Sequence, residues 1–129
     1  MVEALRQARE AIIPTDEAVL SKAVAKAADL WALTNETLGE IIGVSASTAS
    51  RLRAGAWKLE PATKPFELAQ FFVRLFRSLD SLMGSDDEAA TSWLKARNVD
   101  LDGRPIDLIR TVKGLTETAN YVDDFRARV

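Results

Sequence analysis

The chain has 129 residues, enough for one domain or two small lobes sharing a core. Its 47% apolar and 28% charged residues exclude extended disorder, and only 6 Gly and 4 Pro exclude collagen-like and low-complexity chains. Cysteine and histidine are both absent, which removes disulfide frameworks, thiolate metal sites, thiol nucleophiles and the commonest general base; the net charge of −2 does not by itself point to nucleic acid.

Residues 1–14 form a polar lead with a weak helical pattern (Ala4, Leu5, Ala8, Ile12) stopped by Pro14. The lead lacks the apolar run of about 7–15 residues that a secretory signal needs. No stretch reaches the roughly 18 apolar residues of a membrane span, so a cytoplasmic protein without a membrane partner is expected. Thr15 or Asp16 can cap a helix over about 16–32, whose apolar positions Val19, Leu20, Ala23, Val24, Ala27, Leu30 and Trp31 recur at helical spacing.

A helix from Thr34 or Asn35 to about Ile42 comes next, then Gly43 suited to a positive φ, then a second helix from Ala46 to Arg53 capped by Ser45 and ended by Gly55. Pro61 and Pro65 precede a long helix over 65–83 carrying Phe66, Ala69, Phe72, Val73, Phe76 and Leu79. Gly84 ends it, and Ser85 with Asp86, Asp87 and Glu88 opens another helix anchored by Trp93 and Leu94. Residues 98–103 read as a loop. Pro105 starts a short helix, PIDLIRTVK, which Gly114 is expected to end, and Leu115, Ala119, Val122 and Phe125 mark a last helix. Nothing alternates with period two, so the expected class is all-α, with six or seven helices. The expected organisation is a lead at 1–14, a helix-turn-helix region at 15–60 and a helical C-terminal domain at 61–129.

The pair 35–53 has the spacing of a DNA-binding helix-turn-helix, two helices of about eight residues meeting across a short turn. Gly39 supplies the small residue where the second helix crosses the first. Leu38, Ile41 and Ile42 close the first helix onto the core, Val44 tucks under the turn, and Ala49 and Leu52 anchor the second helix. Ser45, Ala46, Ser47, Ser50 and Arg51 are left facing out, with Thr48 and Arg53 at the flanks. Short polar and basic side chains let a helix approach base edges and phosphates. Between Ser45 and Leu59 the basic residues Arg51, Arg53 and Lys58 meet no acid, whereas 80–107 is rich in Asp. The near-neutral total therefore hides a basic patch and an acidic lobe. So few basic contacts would hold DNA weakly in a monomer, so a dimer on palindromic half-sites is expected.

Residues 15–129 resemble the Xre/MbcA/ParS-type antitoxins, partners of RES-domain toxins. The helix-turn-helix run GEIIGVSASTASRLRAG is shared by many regulators. The more specific block is RLFRSLD with Leu82 and Gly84, then Trp93-Leu94, Asn98, Gly103-Arg104-Pro105, Leu108-Ile109, Thr111 with Gly114, and Tyr121-Val122-Asp123, in the family's order. Thr118 departs from it, falling where the family usually carries an apolar residue, and Ala127 stands where Gly is frequent.

The resemblance implies an N-terminal lobe that binds operator DNA of its own operon. It implies a C-terminal lobe that covers an NAD-consuming RES-domain toxin, in a dimer or larger assembly; the antitoxin itself is expected to have no catalytic residues, cofactor or metal. The toxin-contacting set it implies is Asn98, Arg104, Tyr121, Asp124 and the terminal Arg126, Arg128 and Val129. Read on their own, Asn98 is a loop cap, Tyr121 joins Trp93, Leu94 and Phe125 as core, and the tail is a solvated terminus. The competing reading is a stand-alone dimeric helix-turn-helix regulator. An enzyme finds no nucleophile–base pair, phosphate loop or metal cluster in the sequence to support it.

Overall fold

The computed structural model describes residues 16–128; the helical pattern expected in 1–14 and the candidate Val129 lie outside them. The helices are α1 (Glu17–Leu30), α2 (Asn35–Ile42), α3 (Ala46–Arg53), α4 (Lys64–Leu82), α5 (Asp87–Lys95), α6 (Pro105–Leu108) and α7 (Val112–Arg128). No strand occurs among the described residues; an isolated bridge joins Asn98 and Gly103. The fold is all-α, with the helix-turn-helix N-terminal and the second lobe C-terminal.

Side-chain caps start five of these helices. Asp16, Thr34, Ser45, Thr63 and Asp86 each accept from the backbone N–H three residues on, which satisfies one of the helix's unpaired first donors. Ser85, expected to open α5, instead has φ +62°, and its neighbour Asp86 caps.

The long helix α4 is the spine. It packs on α1 and α2 and most broadly on α7. Phe72, Val73, Leu75 and Leu79 are buried along it, and Trp31 meets Phe72 edge-on at 5.6 Å. The buried Ser21 hydroxyl donates to Glu17 O at 2.6 Å and accepts from Leu59 N at 3.0 Å, tying the segment after α3 back onto α1.

One boundary departs from the sequence-based expectation. The helix opened by Pro105 lasts only four residues, and Gly114 does not end it; Gly114 lies inside α7. Thr111 marks the start of the new helix, its hydroxyl accepting from Gly114 N at 3.0 Å. Close approach explains the glycine, since a Cβ there would sit 1.8 Å from Leu108 O.

Candidate DNA- and partner-binding surfaces

The corner between α2 and α3 is built as its spacing requires. Gly43 adopts φ +75° at the end of α2. A Cβ on Gly39 would lie 2.5 Å from Val44 O, so the crossing needs glycine there. Leu38, Ile41, Ile42, Ala49 and Leu52 are buried. With these positions turned inward, Ser45, Ala46, Ser47, Ser50, Arg51 and Lys58 stand exposed, and Thr48 is half-buried.

Within that outward set, Ser45 accepts from Thr48 N at 3.1 Å and its hydroxyl donates to Thr48 Oγ1 at 3.0 Å. Arg51 Nη2 donates to Thr48 Oγ1 at 3.1 Å, which steadies an exposed guanidinium on the helix surface. Ala46, Ser47 and Ser50 join Thr34, Asn35 and Glu36 around an open groove of about 470 Å³ between the starts of α2 and α3. Glu36 brings a carboxylate to this groove from the neighbouring helix, which the acid-free count along 45–59 missed.

Arg53 behaves differently. Its Nε and Nη2 both donate to Asp29 Oδ1, at 3.2 and 2.6 Å, and its Nη1 donates to Leu33 O at 2.7 Å and Asn35 Oδ1 at 3.1 Å. Every guanidinium nitrogen is therefore engaged with α1, the loop after it or the start of α2. Arg53 clasps the motif together from behind.

The C-terminal lobe presents a second surface. Leu79 and Val122 floor an apolar trough of about 250 Å³, and Leu82, Met83, Trp93, Tyr121 and Phe125 wall it. Trp93 and Tyr121 stack at 6.5 Å and 18°, Tyr121 meets Phe125 at 4.9 Å, and the Arg128 guanidinium lies 6.0 Å from the Phe125 ring centre. Tyr121 Oη donates to Asp100 Oδ2 at 2.8 Å and accepts from Asn98 Nδ2 at 3.5 Å. Asn98 also caps its own loop, accepting from Leu101 N at 2.9 Å.

The remaining candidates do not gather at the trough walls. Arg104 pairs with Asp107 through two hydrogen bonds of 2.9 and 3.2 Å. The hydrogen bonds from Arg104 hold the Asp107 carboxyl below the ordinary carboxylate range, and the same bonds raise Arg104. Asp124 and Arg126 are exposed on α7. Asp123, beside Asp124, turns inward: it accepts from Arg74 Nε at 2.7 Å and from Ser78 Oγ at 2.6 Å, while Arg74 Nη2 donates to Asn120 Oδ1 at 2.6 Å.

Helical spacing alone places Trp93 and Phe125 in the core, yet Trp93 is half-buried and Phe125 is 41% exposed. The legible signal was the i, i+4 aromatic pair Tyr121–Phe125 followed by Arg128, which places three interface-type side chains on one helical stripe. Among the described residues no group of three or more carboxylates is placed to hold a metal ion, and no helix is long and apolar enough to cross a membrane.

Comparison with known proteins agrees with this division. A model of the antitoxin Xre-like helix-turn-helix domain matches residues 10–74, and a model of the antitoxin Xre/MbcA/ParS C-terminal toxin-binding domain matches residues 78–128. No match is found among curated protein sequences. Among solved structures, the chain is similar in fold to one from the M. tuberculosis MbcT–MbcA toxin–antitoxin complex, at a TM-score of 0.63 and 22% identity, covering 86% of this chain and 96% of that one. The two family matches meet on α4, the helix that packs against both the DNA-type corner and α7. The chain belongs to the Xre/MbcA/ParS antitoxins, an Xre-like helix-turn-helix joined to a C-terminal toxin-binding domain.

Proposed function

We propose that this antitoxin neutralises a RES-domain, NAD-consuming toxin in the cytoplasm and represses its own operon as a dimer bound to palindromic half-sites. The observation that carries the reading is the joining of a helix-turn-helix match and a toxin-binding match in one chain through the shared helix α4. The antitoxin acts by binding; the family is not one of enzymes.

On the DNA side, the exposed face of α3 suits insertion into a major groove. Ala46, Ser47 and Ser50 are short enough to bring the helix close to base edges, and Arg51 and Lys58 reach phosphate or guanine. Each phosphate contact steepens the salt dependence of log affinity by about 0.9. Two such contacts hold DNA weakly, and a second subunit doubles them. Arg53 serves this face by fixing the angle of α3. On the toxin side, Asn98, Arg104, Tyr121, Asp124, Arg126, Arg128 and Val129 remain the contact set carried from the family resemblance, with Asn98 acting through Tyr121.

The test is affinity capture of the tagged full chain from its native cells, read by mass spectrometry, beside binding of the purified protein to the DNA upstream of its gene. A stoichiometric RES-domain protein and salt-sensitive binding to that DNA are expected. Recovery of the chain with DNA alone would identify a stand-alone regulator and overturn the toxin assignment.

A further inference from the structure

We propose that the trough between α4, α5 and α7 is the socket for one protruding apolar side chain of the toxin, with Arg128 at its rim meeting an acidic neighbour of that side chain; this rests on the antitoxin reading above.

Several observations converge on it. Every residue lining the trough lies within 78–128, the toxin-binding match, and none within the helix-turn-helix match. The floor is finished core, with Leu79 and Val122 each 1% exposed, but Phe125 above it is left 41% exposed by the described residues. A large aromatic ring open to water at the edge of an apolar hollow is a feature a protein partner covers. The walls are also of the type that dominates binding energy at protein interfaces, where Trp, Tyr and Arg are enriched. Here Trp93, Tyr121, Phe125 and Arg128 form a continuous ladder of ring and guanidinium contacts.

Size selects the kind of occupant. At about 250 Å³ the trough falls short of the roughly 300–1,000 Å³ typical of small-molecule sites. It has room for an anchoring side chain of a protein whose surrounding surface completes the contact. The socket is preorganised, because Tyr121 is held at its hydroxyl by Asp100 and Asn98, and α7 is fixed to α4 by Asp123 with Arg74 and Ser78. Little side-chain entropy is then lost on binding.

Site-specific photocrosslinking of the full chain in its native cells tests this. Benzoylphenylalanine is placed at position 125, at position 104 on the exposed loop before α6, or at position 19 on α1, and adducts are identified by mass spectrometry. An adduct between position 125 and the RES-domain toxin, absent from position 19, is expected. Adducts from position 125 to a second copy of the chain would make the trough a dimer face and overturn the proposal. Toxin adducts from position 104 or 19 without any from 125 would overturn the trough while leaving the antitoxin reading intact. Absence of a RES-domain protein at all three positions would remove both. In parallel, Phe125→Ser is expected to weaken toxin capture at least about thirty-fold, the effect of losing an interface hot spot. DNA binding and thermal melting should stay near wild type. Toxin capture unchanged in a folded Phe125→Ser protein overturns the socket.

Discussion

Arg53 Nη2 lies 2.6 Å from Asp29 Oδ1, joining the last residue of α3 to the end of α1. Asp29 is 67% exposed, so this ion pair alone contributes little. The half-buried bonds from Nη1 to Leu33 O and Asn35 matter more, since their loss leaves a backbone carbonyl without its charged donor. Arg53→Ala should therefore cost about 1–2 kcal/mol of stability. Arg51, whose donor reaches only Thr48 on its own helix among the described residues, should behave in the opposite way. Arg51→Ala is expected to leave the melting temperature unchanged while flattening the slope of log affinity for DNA against log salt by about 0.9. Melting curves and salt-dependent anisotropy on both variants check this. Equal loss of stability in the two would mean that Arg51 is structural too.

Gly39 and Gly114 mark the two places where backbone approaches too closely for any side chain. A Cβ would lie 2.5 Å from Val44 O at the first and 1.8 Å from Leu108 O at the second. Both obstacles are main-chain oxygens, which cannot rotate aside. Each Gly→Ala change is expected to destabilise by about 1–3 kcal/mol. The two should differ in function. Gly39→Ala moves α3 and lowers DNA affinity, whereas Gly114→Ala shifts the start of α7 and weakens toxin capture first. Denaturant unfolding with both binding assays distinguishes them.

The helix-turn-helix was legible almost to the residue, with α2 ending at Ile42 and α3 running from Ala46 to Arg53, because its constraints are local. Caps, a left-handed glycine and i, i+3/i+4 apolar positions all act within one turn. The C-terminal half was less legible because its constraints act at a distance. Gly114 looks like a helix terminator in sequence, and only the packing of α6 against α7 reveals it as a contact glycine. Arg74 and Asp123 are 49 residues apart, so no local pattern announces their bond. The family resemblance pointed to the right lobe. The trough walls Trp93, Leu82 and Met83 were less legible, because half-buried aromatic and aliphatic residues read as core until the surface is seen.

The Arg104–Asp107 pair gives a pH signature at the start of α6. Hydrogen bonding to Arg104 lowers the Asp107 carboxyl below its unfolded value, so the pair's stabilising effect is present above the ordinary aspartate range near 3.8 and is lost as pH falls through the lowered folded value. Both side chains are 50% exposed, so solvent screening keeps that effect small. Arg104→Gln should raise the Asp107 titration midpoint, read by carboxyl NMR, with little change in melting temperature at neutral pH. A midpoint that stays put would mean that the two side chains are not paired in solution.

Thr118 is 0% exposed on the inner face of α7, and its hydroxyl has no hydrogen-bond partner among the described residues. A buried hydroxyl gives up its hydrogen bonds to water on folding, a loss of about 1–3 kcal/mol when no internal partner replaces them. Valine has nearly the same shape and carries a methyl group where threonine carries the hydroxyl. The family resemblance also places an apolar residue at this position. Thr118→Val is therefore expected to stabilise the chain by about 1 kcal/mol, raising the melting temperature by about 4 °C for a chain of this size. Because Thr118 faces inward and lines neither the groove nor the trough, both binding activities should be unchanged. Calorimetry decides the point: a lower melting temperature for Thr118→Val would show that the hydroxyl is bonded in the folded protein and that the polar side chain helps to hold α7 in place.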